Sequence, residues 1–156
     1  KESRLLIYAV ALLAAACDAA SPPSISALEG DWRTVRHSAD VQISDCGDGT
    51  PCGALRRFDD ALADGNTTDI NNPDTDLRSR PLVGLPILWG FSCSDKGWRK
   101  GRLYNPETGQ TFRASLDVIS VDKIKVKGCL GPFCRAQIWR RLSDKATIQT
   151  EPITDD

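Results

Sequence analysis

A chain of 156 residues is long enough for one domain with a real core and too short for two comfortable ones. Twenty Lys and Arg against twenty-one Asp and Glu leave a formal net charge of −1, so the chain as a whole has no electrostatic footprint for a phosphate backbone, and nucleic acid is not an expected partner. After residue 30 no window carries a sustained apolar stripe at helical spacing, which excludes a helical bundle and favours strands.

Residues 1–17 differ in kind from the rest. Lys1 and Arg4 precede an apolar run over 5–16 and then small residues, the layout of an export signal. The run is short for a helix crossing a bilayer core of about 30 Å, so export is read in preference to a permanent anchor. With no methionine anywhere in the chain, the segment is read as lacking its initiator. Two cleavage readings stand. Ala14-Ala15-Ala16 before Cys17 resembles a bacterial lipobox, in which the cysteine is acylated; the same alanines satisfy the rule for ordinary signal cleavage. Lipidation accounts better for a cysteine directly after the apolar-to-small transition. The expected location is the periplasm, free or lipid-anchored in the cell envelope, and a membrane is expected as a partner only through that anchor.

Residues 18–27 read as a linker, 28–142 as the domain and 143–156 as a polar tail. Strands are expected over 29–37, 40–46 and 52–58, the second with Val41 and Ile43 alternating against Gln42 and Ser44. Residues 59–80, rich in Asp and Asn, read as a long surface loop. Residues 82–91 are strongly apolar, and Pro86 within them points to an edge or bulged strand. A strand over 97–104 leads through Asn105-Pro106-Glu107-Thr108-Gly109, which has hairpin-turn chemistry, into 110–118. There Phe112, Ala114, Leu116 and Val118 alternate with Thr111, Arg113, Ser115 and Asp117, the pattern of a sheet wet on one face. Ile124 and Val126 among three lysines repeat it, and residues 133–142 form the last strand. Consecutive antiparallel strands with one apolar face are best satisfied by closure, so the expected fold is all-β: a single antiparallel barrel of about eight strands.

In an exported chain cysteines are read first as disulfide partners. Cys46 and Cys52 bracket one turn, and Cys129 and Cys134 another; closing loops this small stabilises a fold by about 2 kcal/mol where geometry allows. Cys93 is then left over, or pairs instead with Cys129 or Cys134. A zinc site lacks the tight ligand spacing and has one histidine, His37, to draw on, so no metal or cofactor is expected.

Gly30-Asp31-Trp32 resembles the G-x-W signature of lipocalins and related calycin barrels, in which the tryptophan plugs the closed end and a basic residue of the last strand lies across its ring. The resemblance implies Arg140, on the face of Ala136 and Ile138, as the cation stacked on Trp32. Several further motifs join it. They are Cys46-Gly47 with Cys52-Gly53, Asn72-Pro73 before Leu77-Arg78-Ser79-Arg80-Pro81-Leu82 and Gly84, and Gly97-Trp98 before Gly101-Arg102-Leu103-Tyr104-Asn105-Pro106. Gly109-Gln110-Thr111-Phe112 and Gly128-Cys129 with Gln137-Ile138-Trp139-Arg140-Arg141 complete the set. Together they resemble domain of unknown function 2147, a family of small secreted bacterial proteins. This implies a lipocalin-like barrel over 28–142 and no assigned activity. Lys100 departs from the pattern by interrupting the glycine-rich approach to Gly101, and Cys93 and Cys134 also stand outside it.

No residue cluster reads as an active site. An Asp and Asn cluster over 59–76 suits calcium in ligand type, but an EF-hand alignment from Asp64 puts Asp69 where glycine is required. Asp59 and Asp60 are sequence neighbours that point apart in extended chain, and His37 has no nucleophile to serve. Arg78 and Arg80 are candidate contacts for an anionic headgroup at the barrel mouth, set against ion pairing between neighbouring strands. The expected function is a non-enzymatic module holding a small amphipathic, lipid-like or apolar ligand, with Trp32, Ile43, Phe112, Leu116, Val126 and Arg140 as candidate lining. The alternative is an envelope structural or protein-interaction domain, using the loop 59–80 and the apolar run 82–91 as its contact surface.

Overall fold

The computed structural model describes residues 24–35, 38–59 and 65–143. The expected export signal with Cys17, most of the expected linker, His37, Asp60, Asp64 and the residues from 144 lie outside the described residues.

Among the described residues nine antiparallel strands carry the fold: β1 (Gly30–Arg33), β2 (Asp40–Asp45), β3 (Pro51–Arg57), β4 (Pro86–Trp89), β5 (Ser92–Ser94), β6 (Gly97–Asn105), β7 (Gln110–Ser120), β8 (Lys123–Leu130) and β9 (Phe133–Arg141). They run β4-β3-β2-β1-β9-β8-β7-β6 around a ring that β4 and β6 close, Leu88 opposite Leu103 and Trp89 opposite Arg102. Eight strands make the barrel, and the three-residue β5 adds to β6 outside the ring. The first and last strands meet, Trp32 opposite Arg141 and Arg33 opposite Arg140.

Alternation explains the wall. Along β7, Ala114 and Leu116 are buried between half-buried Phe112 and Val118; along β8, Ile124 and Val126 are buried between lysines. Pro86, which has no N–H to give a ladder, opens β4 where that donor is dispensable. The strand expected over 82–91 is therefore short, and the chain before it bends back, with Leu55 N–H bonding Leu85 O at 2.9 Å. Gly101 is fixed by packing: a Cβ there would sit 2.2 Å from the Phe91 ring.

On the outer face Arg33 and Arg57 both bond the Asp40 carboxylate at 2.8 Å, tying β1, β2 and β3. Burial pushes that carboxyl up, but the hydrogen bonds from the two guanidiniums outweigh it and hold it below its ordinary value. Disulfides join Cys46 to Cys52 and Cys129 to Cys134, as the bracketed turns suggest. Cys93 pairs with neither Cys129 nor Cys134, and no described cysteine is a free thiol.

Candidate functional site

The two ends of the barrel are built differently. At the end where β1 enters, Trp32 is fully buried and its indole N–H bonds Leu28 O at 2.7 Å. The Arg141 guanidinium lies 4.2 Å from the indole centroid. It also bonds Val121 O (2.7 Å), Ala27 O (2.7 Å) and Glu29 O, so one side chain pins the β7–β8 turn and the entering chain across the plug. Gly30 has φ +129°, and a Cβ there would meet the Arg141 guanidinium at 2.6 Å. Glycine is thus required both by its dihedral and by the clasp.

The stacked cation is Arg141, which corrects the expectation for Arg140. On β9 the inward positions are Phe133, Arg135, Gln137, Trp139 and Arg141, and Arg140 is exposed on the outer face with Ala136 and Ile138. Two apolar residues on the outside of this strand invert the usual sign of the pattern.

Towards the other end the interior opens into a cavity of about 730 Å³. Val41, Leu55, Ile87, Leu103, Phe112 and Val126 form its apolar wall, with Trp139 below. Gly128 faces the space with no side chain, and a Cβ there would just touch Leu103 and Phe112 at 3.4 Å. Polar groups gather at the mouth, among them Asn71, Gln110, Gln137, Glu107, Asp59 and Arg135.

One rim of the mouth is a strap rather than a free loop. Thr68 bridges Pro81, and within this turn Asp69 is fully buried. Its carboxylate accepts from Tyr104 Oη (2.6 Å), Asn72 Nδ2 (2.7 Å) and Arg80 Nε (2.9 Å). Burial first, and then the hydrogen bond to Asp69, push the Tyr104 phenol up to about 12. Asn71 Nδ2 reaches Pro106 O (3.1 Å) and Glu107 O (2.9 Å), joining the strap to the β6–β7 turn. The surface loop expected over 59–80 is exposed along most of its described length, and the buried Asp69 and Asn72 latch it to β6 through Tyr104.

Of the expected lining residues, Phe112 and Val126 border the cavity. Trp32, Ile43 and Leu116 belong to the sealed core instead, and Arg140 points outward. The expected headgroup contacts are engaged in the strap: Arg80 pairs with Asp69 at 2.8 Å and Arg78 Nε bonds Asn72 O at 2.7 Å. Among the described residues, the guanidinium that borders the cavity is Arg135, on the same face of β9 as Trp139, a placement that the inverted polarity of this strand hides in the sequence. The apolar run 82–91 does not form an open contact surface, since Leu82, Leu85, Ile87, Leu88 and Phe91 are all in the core.

A family model described as "Uncharacterized protein conserved in bacteria (DUF2147)" matches residues 30–141, from β1 to the end of β9. The chain belongs to this family. Among solved structures it is similar to protein HP1028 from Helicobacter pylori, described as belonging to the lipocalin family. The match has a TM-score of 0.63 and 22% identity and covers 75% of this chain and 84% of that one. At that identity the likeness establishes a lipocalin-like fold for this family member. No curated protein matches the chain.

Proposed function

We propose that this family member is an exported, non-enzymatic carrier or receptor module that holds one small amphipathic ligand in the barrel. The observation that carries the reading is the cavity of about 730 Å³, sealed below by the Trp32 plug and open at a polar mouth. Its size and mixed lining suit a small-molecule site, an apolar body resting on Leu103, Phe112, Val126 and Trp139 and a polar end among Gln137, Gln110 and Arg135. A structural barrel has no need of such a void, because an unfilled interior forfeits packing contacts. The lipocalin-like fold supports the reading by analogy.

The test is native mass spectrometry of the chain purified from a bacterial envelope, beside a Gly128→Leu variant that puts a side chain into the cavity next to Leu103 and Phe112. A small-molecule adduct on the parent chain that is weakened in the variant is expected. An unliganded parent that also fails to take up added fatty acid or lysophospholipid, or an adduct kept undiminished by the variant, contradicts the proposal.

A further inference from the structure

The near-zero net charge conceals a strong segregation on the outer wall of β6, β7 and β8. A groove there is lined by Arg99, Lys100, Arg102, Arg113, Lys125 and Lys127 and by a single carboxylate, Asp117. Asp117 is taken by Arg99 (2.6 Å) and Lys125 (3.5 Å). Lys100, Arg102, Arg113 and Lys127 have no carboxylate partner among the described residues. Arg102 and Arg113 stand directly opposite one another across the β6–β7 ladder, an arrangement that works against sheet stability.

Lys100 adds an independent sign. It sits at the register shift between Trp98 and Gly101 with φ 62°, a left-handed conformation that glycine adopts freely and lysine does not. A glycine would hold this backbone without the strain that a lysine side chain brings. What the lysine adds is one more cation on this wall.

The groove runs directly into an apolar tip. Arg113 lies opposite Cys129 and donates to Gly131 O at 3.1 Å, at the turn that joins β8 to β9. The Cys129–Cys134 disulfide clamps that hairpin, and beyond it Phe133 is 80% exposed and Leu130 47% exposed, both on the rim of the cavity. An aromatic and a leucine on a cross-linked tip, flanked by Arg and Lys that no described carboxylate neutralises, combine apolar insertion with attraction to anionic headgroups.

We infer that the β8–β9 tip and the basic wall below it dock this protein, mouth rim first, on the surface of an anionic lipid bilayer. Phe133 and Leu130 enter the headgroup boundary, while Lys100, Arg102, Arg113 and Lys127 lie against lipid phosphates. The inference stands apart from whether the cavity holds a ligand.

Flotation of the purified, unacylated full chain with vesicles tests it, using phosphatidylcholine alone or mixed with phosphatidylglycerol. Binding to the mixed vesicles, release at high salt and little binding to phosphatidylcholine are expected. Arg102→Glu with Lys127→Glu should lower partitioning about thirty-fold or more. Phe133→Ser should lower it about tenfold. Lys100→Gly, which relieves backbone strain and so cannot act through misfolding, should lower it about fivefold without lowering the melting temperature. Equal partitioning of the charge-reversed variant, or capture by a soluble polyanion such as heparin without any vesicle binding, would overturn it.

Discussion

The closed end and the mouth of this barrel use the same strands and the same alternation, yet one is filled and the other hollow. On β7 and β8 the inward residues at the closed end are Leu116 and Ile124, neither of them exposed, packed beneath Trp32. A few residues along, the inward positions become Phe112 and Gly128, and on β9 they become Gln137 and Arg135. Space appears where one inward side chain is missing and its neighbours carry polar ends. The difference teaches that in a small barrel the plug supplies stability, which leaves the opposite end free to trade packing for a site.

Removing the plug should break that division most severely. Trp32→Ala deletes a fully buried indole and strands Arg141 over a void, so a loss of about 3–5 kcal/mol in denaturant unfolding is expected. Gly128→Leu at the mouth, by contrast, should cost less than about 1.5 kcal/mol while narrowing the cavity, because its neighbours stand at contact distance and the space beyond them is open. A comparable loss at both positions would mean that the mouth is as tightly packed as the plug.

The strap sharpens the comparison at an intermediate level. Asp69→Ala would leave Tyr104 and Arg80 without their shared acceptor, and a loss of about 2 kcal/mol is expected, with faster amide exchange over residues 67–82 as the local readout. Tyr104 also gives the strap an alkaline signature. Its folded value is raised above that of the unfolded chain, so the stability it contributes is complete below pH 10 and is lost as pH rises towards 12. Tyr104→Phe should flatten that alkaline slope. Asp40 works in the opposite sense: its lowered folded value makes its contribution present above the ordinary carboxylate range and lost as pH falls through the folded value.

The smallest effect separates two neighbours. Arg141→Lys keeps the charge but loses the fork that spans Val121, Ala27 and Glu29, so a loss of about 1–2 kcal/mol is expected. Arg140→Lys, on exposed outer wall, should stay within about 0.5 kcal/mol of the parent. Equal losses would restore Arg140 to the role the sequence pattern assigned it.

That reversal marks where the sequence is legible. Strands β7 and β8 were readable because polar and apolar residues alternate there in the ordinary sense, Leu116 and Val126 inside, Lys125 and Lys127 outside. Strand β9 was not, because lining an open mouth requires Gln137 and Arg135 inside while Ala136 and Ile138 go outside. The two short disulfides followed from the turns they bracket. The burial of Asp69 did not, since its partners Tyr104 and Arg80 lie 35 and 11 residues away and an isolated aspartate in a polar stretch carries no sign of them. The basic wall was hidden for a related reason: net charge sums over the chain, whereas segregation depends on which strands become neighbours.

The contrast between a sealed end and an accessible one is tested most directly by the tryptophans themselves. A fatty acid bearing a nitroxide on its chain should quench Trp139, which borders the cavity, and spare Trp32, which is sealed beneath Arg141. The account predicts saturable quenching of the parent chain that largely disappears in Trp139→Phe and persists in Trp98→Phe. Quenching that survives Trp139→Phe, or none at all at saturating probe, would contradict it.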